Sequence, residues 1–130
     1  MLQAFQKTIL KKTDFKGIGL HSGLESIVKI IPANENHGIV FKRIDLQLNN
    51  TIKASFENVS AAKLCTTIQN KFHVSVSTVE HLLAALYITG IDNALIEINA
   101  PEVPIMDGSS KEFVETILKI GVKEQRAKRK

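Results

Sequence analysis

The chain has no tryptophan, one tyrosine, three prolines and one cysteine in 130 residues. Each scarcity excludes something. A lone Cys65 cannot form an internal disulfide, and it suits a reducing compartment, so the expected location is the cytoplasm. Aromatic residues make up only 5%, too few for the stacking platform that a single-stranded nucleic-acid binder uses. No apolar run approaches the length of a membrane span. The first residues, Met1-Leu2-Gln3-Ala4-Phe5-Gln6-Lys7, lack the order of a signal peptide. Net charge on the body is missing as well. The net +4 is carried by residues 123–130, which hold five cations and one anion, so residues 1–122 are neutral overall. A basic tail can bind nucleic acid, but a neutral body supplies no basic face to go with it. The expectation is one domain over residues 1–122, then a basic linker or tail over 123–130.

The apolar content, 44%, is that of a globular protein with a full core. Its most informative stretch is Ser75-Val76-Ser77-Thr78-Val79-Glu80-His81-Leu82-Leu83-Ala84-Ala85-Leu86. Ser77 and Glu80 have the S-x-x-E spacing of a capping box, which predicts Ser77 as N-cap and Glu80 at the third helical position. Leu82, Leu83 and Leu86 then face a core, and Gly90 ends the helix. The spacing leaves two readings of Glu80-His81 open. One is a cap followed by a hydrogen-bonded histidine. The other is a functional pair that flanks one spot, an imidazole for a metal and a carboxylate for water, since neighbouring helical residues point about 100° apart.

Elsewhere the pattern predicts strands at residues 2–12, 26–31 and 39–43, the last two as a hairpin. Residues 46–58 read as irregular or a small strand. Further strands are predicted at 63–68 and 72–76, joined at Asn70-Lys71, and at 94–98. The three glycines of residues 17–23 mark a bend or a close approach, not a dinucleotide fingerprint. His21 there could contact a ligand or cap a turn. Ser109 is predicted to cap a second helix with Glu112 at its third position, a buried stripe of Phe113, Val114, Ile117 and Leu118, and an end at Gly121. The fold class is therefore α+β, a two-layer sandwich of one mostly antiparallel sheet with two helices packed on one face.

Five motifs in order carry a resemblance over essentially the whole chain: Gly17-Ile18-Gly19-Leu20-His21-Ser22-Gly23, Leu64-Cys65-Thr66-Thr67, Ser77-Thr78-Val79-Glu80-His81-Leu82, Gly90-Ile91-Asp92-Asn93 and Glu102-Val103-Pro104-Ile105-Met106-Asp107-Gly108-Ser109. The chain resembles the zinc-dependent UDP-3-O-acyl-N-acetylglucosamine deacetylases of bacterial lipid A biosynthesis. The resemblance implies the first of two similar domains, with the second domain absent from this chain and an active site in the cleft between them. It implies Glu80 as general base and His81 as the one zinc ligand here, with the remaining ligands expected from the second domain. It also implies a place near the substrate, UDP-3-O-acyl-N-acetylglucosamine, for His21, Leu64, Cys65 and Asp107, with Cys65 a pocket-wall thiol and not a nucleophile; for Asp107 a structural role stays open, since an Asp before Gly-Ser suits a helix entry. By itself the chain is then expected to be inactive. The alternative is a non-catalytic interaction module that pairs with a separate domain.

Overall fold

A computed structural model describes residues 4–60 and 65–130. In order they form β1 (Phe5–Ile9), β2 (Thr13–Ile18), β3 (Glu25–Pro32), β4 (Ile39–Arg43), β5 (Thr51–Lys53), a 3-10 turn at Phe56–Asn58, β6 (Val59–Ser60), β7 (Thr67–Gln69), β8 (Ser75–Ser77), α1 (Glu80–Ile88), β9 (Ala94–Ile98), α2 (Lys111–Ile120) and β10 (Val122–Lys128). The fold is α+β and mostly antiparallel, as the pattern predicts. Its strands divide among three sheets: β2-β3-β9-β4-β5, β6-β7-β8, and the pair β1-β10.

The central sheet is built on period-two alternation. Val28 and Ile30 of β3 and Ala94, Ile96 and Ile98 of β9 turn to one face and are fully buried. Register extends one inward row across four strands, Ile30 opposite Ile96, Ile96 beside Phe41, and Phe41 opposite Ile52. Leu82, Ala85 and Leu86 of α1 and Phe113 and Ile117 of α2 cover that face. Phe113 meets Phe15 of β2 edge to face, with ring centroids 4.7 Å apart. Truncating one such leucine costs about 2–5 kcal/mol, so α1 is held by packing over its apolar side.

Several expectations are corrected. Strands β3 and β4 are not a hairpin, because β9 lies between them, antiparallel to β3 and parallel to β4. Local pattern marks the strands but not the partner that arrives fifty residues later. Gly17 and Ile18, at the start of the stretch read as a glycine bend, lie within β2 and pair with β3. The basic tail is a strand: residues 122–128 pair with β1, Lys7 opposite Glu124 and Ile9 opposite Val122. Its cations point outward while Val122, Gln125 and Ala127 are half-buried, so charge content concealed an alternating strand. Leu118 is exposed, not part of the buried stripe. The entry to α2 is also shifted. Its N-cap is Ser110, with no side-chain cap bond. Ser109 Oγ still accepts the Lys111 amide at 3.2 Å, and Asp107 Oδ1 accepts both the amide and the hydroxyl of Ser109.

No helix among the described residues is long and apolar enough to cross a membrane.

Candidate active site

The segment before α1 does not form a capping box. Ser77 belongs to β8, where its backbone is engaged from two sides. Its N–H donates to Pro101 O at 2.8 Å, and its carbonyl accepts the Val103 N–H at 3.1 Å. The Ser77 hydroxyl accepts from Thr67 Oγ1. Thr78 then turns the chain with φ 58°, and Val79 is already helical and occupies the N-cap position without a side-chain cap bond. Glu80 is therefore the first helical residue, not the third, and His81 the second. An acidic side chain in this first turn suits the positive end of the helix. The far end behaves as predicted: α1 stops at Ile88, Thr89 is the C-cap, and Gly90 follows with φ 78°.

The Glu80 carboxylate is asymmetrically held. Oε2 accepts the Thr66 N–H at 3.1 Å. Oε1 is buried and has no hydrogen-bond partner among the described residues. A buried carboxylate oxygen normally finds a donor, so one without a partner among the described residues is fit to accept a hydrogen bond from water. Both residues are half-buried.

His21, Ser22, Cys65, Ser77, Pro101 and Glu102 line a cavity of about 290 Å³. The structure thus brings His21 and Cys65 to one hollow, on the strand end that leads into Glu80. Cys65 is a free thiol, its Sγ 3.7 Å from the Thr67 hydroxyl. No base that could activate it as a nucleophile is in that contact. Leu64 lies outside the described residues. Asp107 stands apart, exposed at the entry to α2, where hydrogen bonds from Ser109 hold its carboxyl below the usual range.

Glu102 is the residue that sequence reasoning missed. It is 2% exposed. It accepts the amides of His21 (3.0 and 3.2 Å, one to each oxygen) and Ser22 (2.8 Å), and the hydroxyl of Thr78. Burial pushes its carboxyl up, but the bonds from Thr78, Ser22 and His21 outweigh that and hold it below the ordinary value. The available signal was a single charge in the otherwise apolar run Pro101–Met106.

Among the described residues no group of three or more His, Cys, Asp or Glu is placed to hold an ion. His81 offers one imidazole, a suitable zinc donor, and a catalytic zinc takes three protein ligands.

The chain is 52% identical over 127 residues to the UDP-3-O-acyl-N-acetylglucosamine deacetylase of Geotalea uraniireducens, covering 98% of this chain and 41% of that protein. It is 47% identical over 126 residues to the proteins of the same name from Shewanella denitrificans and Shewanella frigidimarina, covering 97% of this chain and 41% of each. The chain thus spans about two fifths of the length of the curated relatives it matches. The family model for UDP-3-O-acyl N-acetylglycosamine deacetylase (LpxC) matches residues 6–130, nearly the whole chain, and the chain belongs to that family.

Proposed function

We propose that this chain supplies the general base and one zinc ligand of a cytoplasmic deacetylase that removes the N-acetyl group, as acetate, from UDP-3-O-acyl-N-acetylglucosamine in lipid A biosynthesis. In this reading it acts as the first domain of a polypeptide as long as its relatives, and the rest of that polypeptide completes the metal site. The relatives' names and the family match support the substrate. One observation in the structure carries the chemistry: a carboxylate with one oxygen tied and the other buried without a partner among the described residues, on the residue that precedes a histidine at the start of a helix.

The residues act as follows. Zinc, when bound, supplies a Lewis acid that lowers the pKa of water and polarises the amide carbonyl. His81 Nδ1 or Nε2 would be one of its ligands. Thr66 N–H holds Glu80 Oε2 and so orients Oε1, which takes the proton of the attacking water as general base. His21 and Cys65 contribute walls to the adjoining cavity. With one imidazole and no further ligand set among the described residues, this chain by itself is inactive and binds zinc weakly.

The test is Glu80→Gln in the full-length enzyme. Glutamine keeps an oxygen for the Thr66 amide, so stability should change by less than about 1 kcal/mol. Turnover should fall roughly a hundredfold or more, with zinc content retained. Near-normal turnover would remove Glu80 from the chemistry and sink this reading.

A further inference from the structure

We propose that Glu102 is the positioning residue of the Glu80–His81 pair: its buried carboxylate ties the turn at residues 19–22 to Thr78 and thereby fixes how the chain enters α1. The inference rests on the functional reading above and extends it to a residue outside the reacting centre.

Three observations converge on it. The first is the donor set. The three donors are two backbone amides and one hydroxyl, and both carboxylate oxygens are engaged, Oε1 by His21 and Ser22, Oε2 by His21 and Thr78. A backbone amide can only donate, so the side chain facing it must accept. A carboxylate satisfies all of these donors. A carboxamide satisfies only part of them, and alanine none. The second is Gly19. A Cβ there would collide with the Glu102 carboxylate and with Ser22 Oγ, so the turn is shaped around this side chain. The third is Thr78. A β-branched residue at φ 58° is in a left-handed conformation that such residues rarely adopt. Its hydroxyl is held by Glu102, and its neighbour Ser77 is bonded to Pro101 and Val103 on either side of Glu102.

The consequence lies two residues on. The direction in which the chain leaves Thr78 sets the azimuth of the first helical turn, and so where Glu80 and His81 face. Thr66 holds Glu80 from one side, and Glu102 holds the entry from the other. The carboxyl, kept below its usual range by its donors, stays charged at neutral pH.

The experiment uses the full-length enzyme with Glu102→Ala, Glu102→Gln and Gly19→Ala, and Glu80→Gln as reference. It reads kcat and KM separately, hydrogen exchange at the Thr66 amide, and the ring nitrogen shifts of His81. Positioning predicts that Glu102→Ala lowers kcat at least about tenfold with little change in KM. It further predicts that the Thr66 amide loses protection and the His81 ring shifts move while the amides of β9 keep theirs. Glutamine should recover part of the loss, and Gly19→Ala should reproduce the alanine variant. Unchanged kcat together with unchanged Thr66 protection and His81 shifts overturns the proposal. A loss of protection spread evenly over β9 and Thr66 also overturns it, since that is the signature of a merely structural role. If Glu102→Ala does not fold, Glu102→Gln and Gly19→Ala decide by the same readouts. If Glu80→Gln keeps its turnover, the functional reading fails, and the Thr66 and His81 signals still decide whether Glu102 positions the pair.

Discussion

Two buried polar clusters sit on different parts of this small domain, and they are made differently. Where β1, β9 and β10 meet, amide side chains close on one another. Asn93 donates to Gln6 and Gln125 and accepts the Gly38 amide, while Gln6 also exchanges bonds with Asn36. Gln125 reaches Ala33, and Thr8 donates to the Asn93 carbonyl. Every one of these groups is neutral. At the entrance to α1, by contrast, a carboxylate is buried, a threonine is held left-handed, and one oxygen of Glu80 has no partner among the described residues. The first cluster joins strands distant in sequence. The second carries strain and an open acceptor, features that persist where a structure is shaped for chemistry as well as for stability.

Breaking the neutral cluster should have the largest effect on stability. Asn93→Ala removes three hydrogen bonds from a residue 2% exposed and leaves partners such as the Gly38 amide unpaired. Denaturant unfolding should show a loss of about 3 kcal/mol. Turnover of whatever full-length enzyme remains folded should be near normal. A loss below about 1 kcal/mol would mean that water readily replaces the network.

Acid should separate the two clusters next. The folded-state pKa of Glu102 is lowered, so the stability it contributes is fully present above its ordinary value of 4.5. That stability is lost as pH falls through the folded-state value. The amide cluster does not titrate. Glu102→Gln should therefore be less sensitive to acid than the native protein over this range, while Asn93→Ala keeps the native slope. Parallel stability curves for Glu102→Gln and native protein would contradict this assignment of the charge.

The smallest effect is expected at Cys65. Its thiol touches one hydroxyl and is half-buried. Cys65→Ala should shift stability by less than about 1 kcal/mol and keep most of the turnover of the full-length enzyme. Complete loss of activity with an intact fold would show that the thiol does more than line a wall.

What was readable in advance follows from where each signal resides. The apolar side of α1, its stop at Gly90 and the existence of β3 and β9 as strands are local patterns, and each appears where the sequence indicates. The Glu80–His81 pair was legible as an oddity among leucines, but its helical position was not. Ser77 was claimed by β8 and by contacts with Pro101 and Val103, which a spacing rule does not include. Glu102 was hidden for a similar reason. A glutamate between prolines reads as an exposed loop residue, and only the folded chain brings His21, Ser22 and Thr78 to it. Sheet order was invisible because β9 separates β3 from β4 in space while following both in sequence.

The pairing of β1 with β10 also sets a timetable. Ile9 lies opposite Val122, and Phe5 opposite Lys128, so the first described strand has as its sheet partner the last described one. At about 5–20 residues per second, a ribosome needs on the order of ten seconds to make the intervening chain. Throughout that interval β1 has an unsatisfied edge, and the helices and the central sheet can form around it. Closure of the β1–β10 sheet is then a late step in forming this domain, and a chain stalled before residue 122 would present the Phe5–Ile9 edge to its neighbours.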